Sequence, residues 1–187
     1  MDSITRYLDD LRAVLDHIDV AVIGKIADTL VEAHGRDAQV FVLGNGGSAS
    51  TASHWACDLG KGTVVDGKRR YRVIGLTDNN ALITAWANDA SYDDVYVEQL
   101  KNLANADDVV IGISASGNSE NVLRAIRYAT DLGATTIGVT GFGGGKLADL
   151  VDVPFVVDSH DYGCVEDVHL ILDHILRICL VDALAAA

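Results

Sequence analysis

The chain has 187 residues, of which 49% are hydrophobic and 22% charged, a composition typical of one globular domain rather than a disordered or fibrous protein. Fourteen basic residues against 27 acidic ones give a formal net charge of −13, which excludes nucleic acid as a natural partner because such a surface repels phosphodiester backbones. The amides and hydroxyls of a local pocket can still bind a small anionic metabolite. Three cysteines without a CxxC pair predict no disulfide framework.

The first predicted element is helical. Apolar residues recur every three or four positions from Ile4 to His34, which predicts that residues 1–34 form an amphipathic helical segment packing on the sheet domain or on a neighbouring subunit. The amino terminus lacks a basic region followed by an apolar run, so we expect no secretory signal and a cytoplasmic location. Apolar runs are too short for a membrane span of about 20 residues, so we expect no membrane association.

Strands and helices then alternate along the chain. Each of four short apolar runs leads into a loop and a helix, and a fifth run precedes a closing helix over about Cys164–Leu184. Runs that are apolar throughout are typical of parallel strands buried on both faces, with helices as crossovers. We therefore predict a single α/β domain over residues 1–187, a three-layer doubly wound parallel sheet with extra helices at both termini. The predicted strands are Val40–Leu43, Val73–Leu76, Val109–Ile113, Thr135–Val139 and Val153–Val157.

Two loops at predicted strand ends carry the main chemical signal. Ser114-Ala115-Ser116-Gly117-Asn118-Ser119 ends one strand and opens a helix, so hydroxyls and free amides converge there in a manner that suits phosphate. Gly44-Asn45-Gly46-Gly47-Ser48 has the same construction on another strand. Neither a Walker loop nor GxGxxG is present, which argues against nucleoside triphosphates and dinucleotides. The alternative is that the serines only cap the helix.

Two predicted helices carry spaced histidines and carboxylates. His54 and Asp58 lie four residues apart, and Glu166 lies eight residues before His174, so each pair is expected on one helix face. Two imidazoles and two carboxylates form a reasonable zinc site, but hydrogen-bonded core histidines are the alternative. For His169, between apolar neighbours, we favour the core role.

The ordered set of these motifs resembles the sugar isomerase (SIS) domain family and, within it, the phosphoheptose isomerases. The motifs are the two loops, Thr77-Asp78-Asn79 with Asn88-Asp89, and Glu166-Asp167-Val168-His169 with His174. The resemblance covers nearly the whole chain. It implies a homotetramer with active sites between subunits, and isomerisation of sedoheptulose 7-phosphate to the aldose D-glycero-D-manno-heptose 7-phosphate.

The resemblance also implies roles for individual residues. Asp58 takes the place of the family's catalytic carboxylate and His174 that of its imidazole. One zinc ion per subunit, without an organic cofactor, is implied at His54, Asp58, Glu166 and His174. Substrate contacts are implied at Asn45, Gly46, Gly47, Ser48, Asp58, Asn88, Asp89, Ser114, Ala115, Ser116, Ser119 and Glu166.

The chain departs from the family pattern at three of these positions. The family usually has glutamate at Asp58, glutamine at Glu166 and threonine at Ala115. Aspartate is one methylene shorter than glutamate, and small misplacements of a catalytic group are costly in rate. Two alternatives therefore stay open: an isomerase of a different phosphosugar, and a non-catalytic SIS protein that binds a phosphosugar or a partner protein.

Overall fold

The computed structural model describes residues 2–187 and contains a five-stranded parallel sheet with helices on both faces, as predicted. The strand order β2-β1-β3-β4-β5 reverses direction beside β1, as in a doubly wound sheet. The strands are β1 (Gln39–Gly44), β2 (Arg72–Gly75), β3 (Val109–Ser114), β4 (Thr135–Thr140) and β5 (Val153–Val156). The helices are α1 (Asp2–Asp16), α2 (Val20–Gly35), α3 (Gly47–Cys57), α4 (Asn80–Asp89), α5 (Val97–Leu103), α6 (Glu120–Leu132), α7 (Gly145–Leu150) and α8 (Tyr162–Ala186). A π-helical turn, Asp58–Gly62, continues α3, and a 3₁₀ turn, Tyr92–Asp94, precedes α5.

The sheet is buried on both faces, which explains why its strands are apolar throughout. Along β1, Val40 and Val42 belong to the core beneath α2, α3 and α8, whereas Phe41 and Leu43 belong to the core beneath α5, α6 and α7. All four side chains are fully buried. Burying each of them stabilises the fold by about 1.5–3 kcal/mol, which fixes the sheet from which the loops emerge.

The helical segment at the amino terminus is two helices rather than the continuous stretch that periodicity suggests. Asp19 begins α2, and its side chain accepts hydrogen bonds from the backbone N–H groups of Ala21 at 2.9 Å and Val22 at 3.2 Å. Aspartate is a preferred N-cap, so it starts a new helix here. The apolar periodicity continues across the break because both helices pack against the same core.

Both helices pack on the sheet domain through α8. Leu11 and Leu15 of α1 pack against the core that contains α8, while Ile26 and Leu30 of α2 are fully buried in it. Ile4 remains 65% exposed on α1. Among the helices of residues 2–187, none is long and apolar enough to cross a membrane.

Candidate active site

The two predicted binding loops lie side by side because their strands are neighbours. β1 pairs with β3 through Gly44 and Ile113, so the loops after both strands leave the same edge of the sheet. The fit requires glycine at position 44, since a Cβ there would lie 2.7 Å from the Ser48 carbonyl oxygen and 2.8 Å from that of Ile113. The point where the strand order reverses is thus also where both loops meet.

Asn45 joins the two loops through a reciprocal amide pair. Its Nδ2 donates to Oδ1 of Asn121 at 2.8 Å, and Nδ2 of Asn121 donates to its Oδ1 at 2.9 Å. The hydroxyl of Tyr92 donates to the same Oδ1 at 3.1 Å, while the hydroxyl of Tyr96 lies 3.1 Å from it and donates to the carbonyl oxygen of Gly44. The sequence analysis missed Asn121, Tyr92 and Tyr96; the position of Asn121 in the first turn of a helix after a serine loop was the only available signal.

The loop from Ser114 to Ser119, called the serine loop here, takes its shape from Gly117. Its serines do more than cap α6. Gly117 has φ +64°, and Ser119, the N-cap of α6, makes no side-chain cap hydrogen bond within residues 2–187. Instead, Oγ of Ser114 donates to Oγ of Ser119 at 3.3 Å, while the backbone N–H of Asn118 donates to Oγ of Ser116 at 3.3 Å. Hydroxyls and the amino end of α6 therefore face a common space, as anion binding requires.

That space is a cavity of about 130 Å³ at the edge of the sheet. Glu166 forms one wall, and it approaches Gly47 so closely that a Cβ at position 47 would lie 2.5 Å from its Oε2. Glycine at 47 therefore leaves room for this carboxylate, which can accept hydrogen bonds from sugar hydroxyls. The lining comprises Asn45, Ser48, Ile113, Ser114, Ala115, Ser116, Ser119, Tyr162 and Glu166.

A second cluster lies between the end of α3 and the middle of α8. Nε2 of His54 is 3.9 Å from Oδ1 of Asp58, as the spacing of four predicts, and 3.4 Å from Nε2 of His174. Asp173, which the sequence analysis did not include, brings Oδ2 within 3.9 Å of His54 Nε2. One ligand atom from each of the four residues lies within 4.8 Å of the others, so this group could hold a metal ion.

Asp173 is an unusual member of this cluster because it is fully buried. Burial raises the pKa of its carboxyl to about 7, with a further contribution from the negative charge of Asp58 and an opposing one from Arg177. Nε of Arg177 lies 3.6 Å from Oδ2 of Asp58. A carboxylate within the apolar stretch Leu170–Leu176 was the signal in the sequence that could have identified Asp173.

Two groups of sequence-predicted site residues lie outside this cluster. Glu166 is not among its four members; it precedes His174 by eight residues, which places it about 12 Å further along the axis of α8. The exposed pair at the end of α4 lines neither the serine-loop cavity nor the cluster, and Nδ2 of Asn88 donates to Oδ1 of Asp89 at 2.7 Å. Within one subunit, the structure therefore separates these residues from the histidines.

His169 has the core role favoured from the sequence. It is fully buried, and its Nε2 lies 3.2 Å from the carbonyl oxygen of Thr140. Burial lowers the pKa of the imidazole to about 4, against a smaller raising effect of that hydrogen bond. His169 is therefore neutral at physiological pH and is separate from the cluster of His54 and His174.

Comparisons with known proteins identify the family of this chain. A model of the SIS domain matches residues 6–141. The chain belongs to the SIS domain family. This SIS domain is 40% identical over 157 residues to a phosphoheptose isomerase of Aliarcobacter butzleri, covering 84% of this chain and 82% of the relative. It is 35% identical over 179 residues to that of Geobacter sulfurreducens, covering 94% of each chain.

Solved structures give the same result for the fold. The phosphoheptose isomerase of Neisseria gonorrhoeae superimposes with a TM-score of 0.90 at 27% identity, covering 97% of this chain and 98% of that one. Because the superposition covers 97% of this chain, it includes α1 and α8 as well as the sheet. Both terminal helical segments are therefore part of the architecture shared with that enzyme.

Proposed function

We propose that this SIS domain is an aldose-ketose isomerase that converts sedoheptulose 7-phosphate to the aldose D-glycero-D-manno-heptose 7-phosphate. The names of its relatives support the reaction class and the substrate. The chemistry of the two clusters supports the same conclusion independently, since one suits a phosphate and the other suits proton transfer.

The observation that carries the proposal is the spacing of the two clusters along the same pair of helices. Gly47 contacts Glu166 at one level of α3 and α8, and His54 contacts His174 at another. Seven residues of α3 separate Gly47 from His54, so the levels lie about 10 Å apart. A seven-carbon sugar phosphate, roughly 9–10 Å long when extended, is long enough to contact groups at both levels.

The reaction needs a proton moved between carbons and another between oxygens. In the forward direction, the carboxylate of Asp58 takes a proton from C1 of the ketose while His174 donates a proton to the oxygen on C2, which gives the enediol. Asp58 then returns its proton to C2. His174 takes the proton from the oxygen on C1, which leaves the aldehyde there and both residues in their starting states.

The serine loop and its neighbours position the substrate for these transfers. Hydroxyls of Ser114, Ser116 and Ser119 and the amino end of α6 would bind the phosphate, which fixes the distance from C1 to the cluster. Asn45, held by Asn121, and Glu166 face the same cavity and can bind sugar hydroxyls.

A divalent metal ion also suits the second cluster. We infer that His54, Asp58 and His174 take part in holding it, and that the ion is zinc, as in the family that the sequence resembles. When bound, it would supply Lewis-acid stabilisation of the oxygens that develop negative charge. The donor set fits, because imidazole nitrogens and carboxylate oxygens are usual ligands of zinc.

Proton NMR in deuterated water tests the proposed reaction directly. Sedoheptulose 7-phosphate incubated with the metal-loaded protein should give an aldose with deuterium at C2, since the transferred proton exchanges with solvent. The variants Asp58→Asn and His174→Ala should reduce turnover by at least about a hundredfold, the lower range for general acid-base catalysis. Asp28→Asn, an exposed aspartate of α2, is the matched control and should leave turnover unchanged.

Two outcomes would overturn parts of the proposal. Binding of sedoheptulose 7-phosphate without turnover would favour a different phosphosugar or a non-catalytic SIS protein. Wild-type turnover in Asp58→Asn would exclude Asp58 as the base and leave the reaction itself intact.

The oligomeric state of the protein is a prediction that can be tested. We infer that residues 1–187 act as one SIS domain in a cytoplasmic homotetramer, and that Asn88 and Asp89 contact substrate in a site shared between subunits. Exposed apolar side chains such as Ile4 and Ile178 support burial against another copy. Light scattering should give four times the mass of 19.8 kDa for the chain.

A further inference from the structure

Asp173 has a buried carboxyl group that finds no hydrogen-bond partner among the described residues. Its side chain is fully buried, and within residues 2–187 neither carboxylate oxygen has a hydrogen-bond partner. A buried carboxylate without a partner is costly to the folded state, so such groups normally pair with a cation or coordinate a metal. Asp173 is therefore placed to coordinate a cation.

The groups that face Asp173 are suited to a metal ion. His54 presents Nε2 from α3 at 3.9 Å, and Asp58, at the start of the π-helical turn, contributes a second negative charge. His174 follows on α8, with its Nε2 3.4 Å from that of His54. Arg177 is the cation on this side of α8, but its guanidinium approaches Asp58, at 3.6 Å.

The spacing of these atoms approaches that of a coordination shell. Two ligand atoms at 2.0–2.1 Å from a tetrahedral zinc ion are about 3.3–3.4 Å apart. The separation between the nitrogens of His54 and His174 is 3.4 Å, and those from His54 to Asp58 and Asp173 are both 3.9 Å. All pairs of the four ligand atoms lie within 4.8 Å, so the side chains would close in by up to about 1.4 Å around an ion. Imidazole nitrogens and carboxylate oxygens are also the usual donor atoms for zinc.

We propose that Asp173 is the fourth ligand of a divalent metal ion held with His54, Asp58 and His174, and that Glu166 is not a ligand. The carboxylate of Glu166 lies in the serine-loop cavity beside Gly47, two helical turns from His174. This assignment leaves Glu166 free to bind a substrate hydroxyl. The assignment of Asp173 as a ligand depends on the metal site included in the proposed function, but it does not depend on the isomerase reaction.

Metal titration distinguishes the two carboxylates. The wild type, Asp173→Asn and Glu166→Gln are stripped with chelator and titrated with Zn²⁺ against a chromophoric competitor. Asp173→Asn should bind Zn²⁺ at least about 100-fold more weakly, since even residues behind the ligands change affinity 10–100-fold. Glu166→Gln should keep the affinity of the wild type. Both substitutions remove one charge and almost no volume, so each serves as the control for the other.

Cobalt gives a second readout that does not depend on affinity. Co²⁺-loaded wild type and Glu166→Gln should share one visible absorption spectrum, and Asp173→Asn should differ because a ligand has changed. The proposal is wrong if Glu166→Gln loses the metal and Asp173→Asn retains it, or if the wild type binds no divalent metal. If Asp173→Asn does not fold, a crystal of the Zn²⁺-loaded wild type with anomalous data at the zinc edge decides which carboxylate coordinates.

Failure of this proposal can be separated from failure of the proposed function. Turnover of sedoheptulose 7-phosphate by the wild type is measured apart from metal binding. A wild type that isomerises the sugar but coordinates zinc through Glu166 refutes only the role of Asp173.

Discussion

A comparison of two glycines tests how the serine loop is held. Gly117 and Gly143 both have positive φ, +64° and +76°, but their surroundings differ. A Cβ at position 117 would overlap the carbonyl oxygen of Gly144, whereas a Cβ at position 143 would have nothing within 4 Å. The variants Gly117→Ala and Gly143→Ala therefore share the backbone strain and differ in the close approach.

The expected magnitudes follow from these contacts. A left-handed backbone conformation costs a non-glycine residue about 1–2 kcal/mol. Replacing glycine by alanine also restricts the unfolded chain, which stabilises the folded state by about 0.4–1 kcal/mol. The unfolding free energy of Gly143→Ala should therefore be about 1 kcal/mol lower than that of the wild type. Gly117→Ala must also separate its loop from α7. That movement breaks the bonds from the N–H of Leu147 to the Gly117 carbonyl, at 2.9 Å, and from the N–H of Lys146 to Asn118 Oδ1, at 3.3 Å. At about 1 kcal/mol each, the total loss is about 3 kcal/mol.

Urea unfolding followed by fluorescence measures both losses, because the indole of Trp55 is fully buried in the core. Enzyme assays should in addition show a raised KM for Gly117→Ala, since its loop belongs to the proposed phosphate site, and an unchanged KM for Gly143→Ala. Equal losses of stability in the two variants at matched protein concentration would refute the reasoning, because the contact with Gly144 would then contribute nothing.

Three further predictions concern other parts of the site. Ser116→Ala should raise KM by about tenfold with little change in kcat, because a hydroxyl that binds phosphate equally in ground and transition states contributes uniform binding; a fall in kcat alone would contradict this. Asn121→Ala should likewise raise KM, since Asn45 loses its reciprocal partner, and Asn121→Asp should not restore it because the bond donated by Nδ2 is lost. The lowered pKa of His169, about 4 against 6.5 in the unfolded chain, means that the unfolded state binds a proton first as the pH falls. The chelator-treated wild type should therefore lose about 3 kcal/mol of stability between pH 6.5 and 4 relative to His169→Gln, and parallel unfolding profiles would exclude this. The quantity to compare is the difference in unfolding free energy between the wild type and His169→Gln. The raised pKa of Asp173 increases stability as the pH falls, but it does so equally in both proteins and cancels in the difference.

Local sequence pattern was sufficient for the sheet because parallel strands must be apolar on both faces. It also predicted that His54 and Asp58 lie together, since a spacing of four on a helix fixes their separation. It was not sufficient for the break between α1 and α2, because periodicity continued past the cap at Asp19. The position of Glu166 shows the same limit: eight residues return nearly to the same face but also advance along the axis.

Local sequence patterns could not predict contacts between residues that are far apart in the chain. The pairing of Asn45 with Asn121 spans 76 residues and depends on β1 lying beside β3. The sequence marks Asp173 only as a carboxylate in an apolar stretch, and its contact with His54 forms only when α3 packs against α8. The missed residues are those whose partners belong to other elements.

The amide pair between Asn45 and Asn121 has a consequence for how the protein opens. Its two members belong to different βα units, so the serine-loop cavity exists only while β1 and β3 remain paired. A ligand in this cavity must dissociate before that central pairing separates. Bound phosphosugar should therefore slow amide exchange across the whole sheet rather than in the loops alone, by a free energy that grows with ligand concentration.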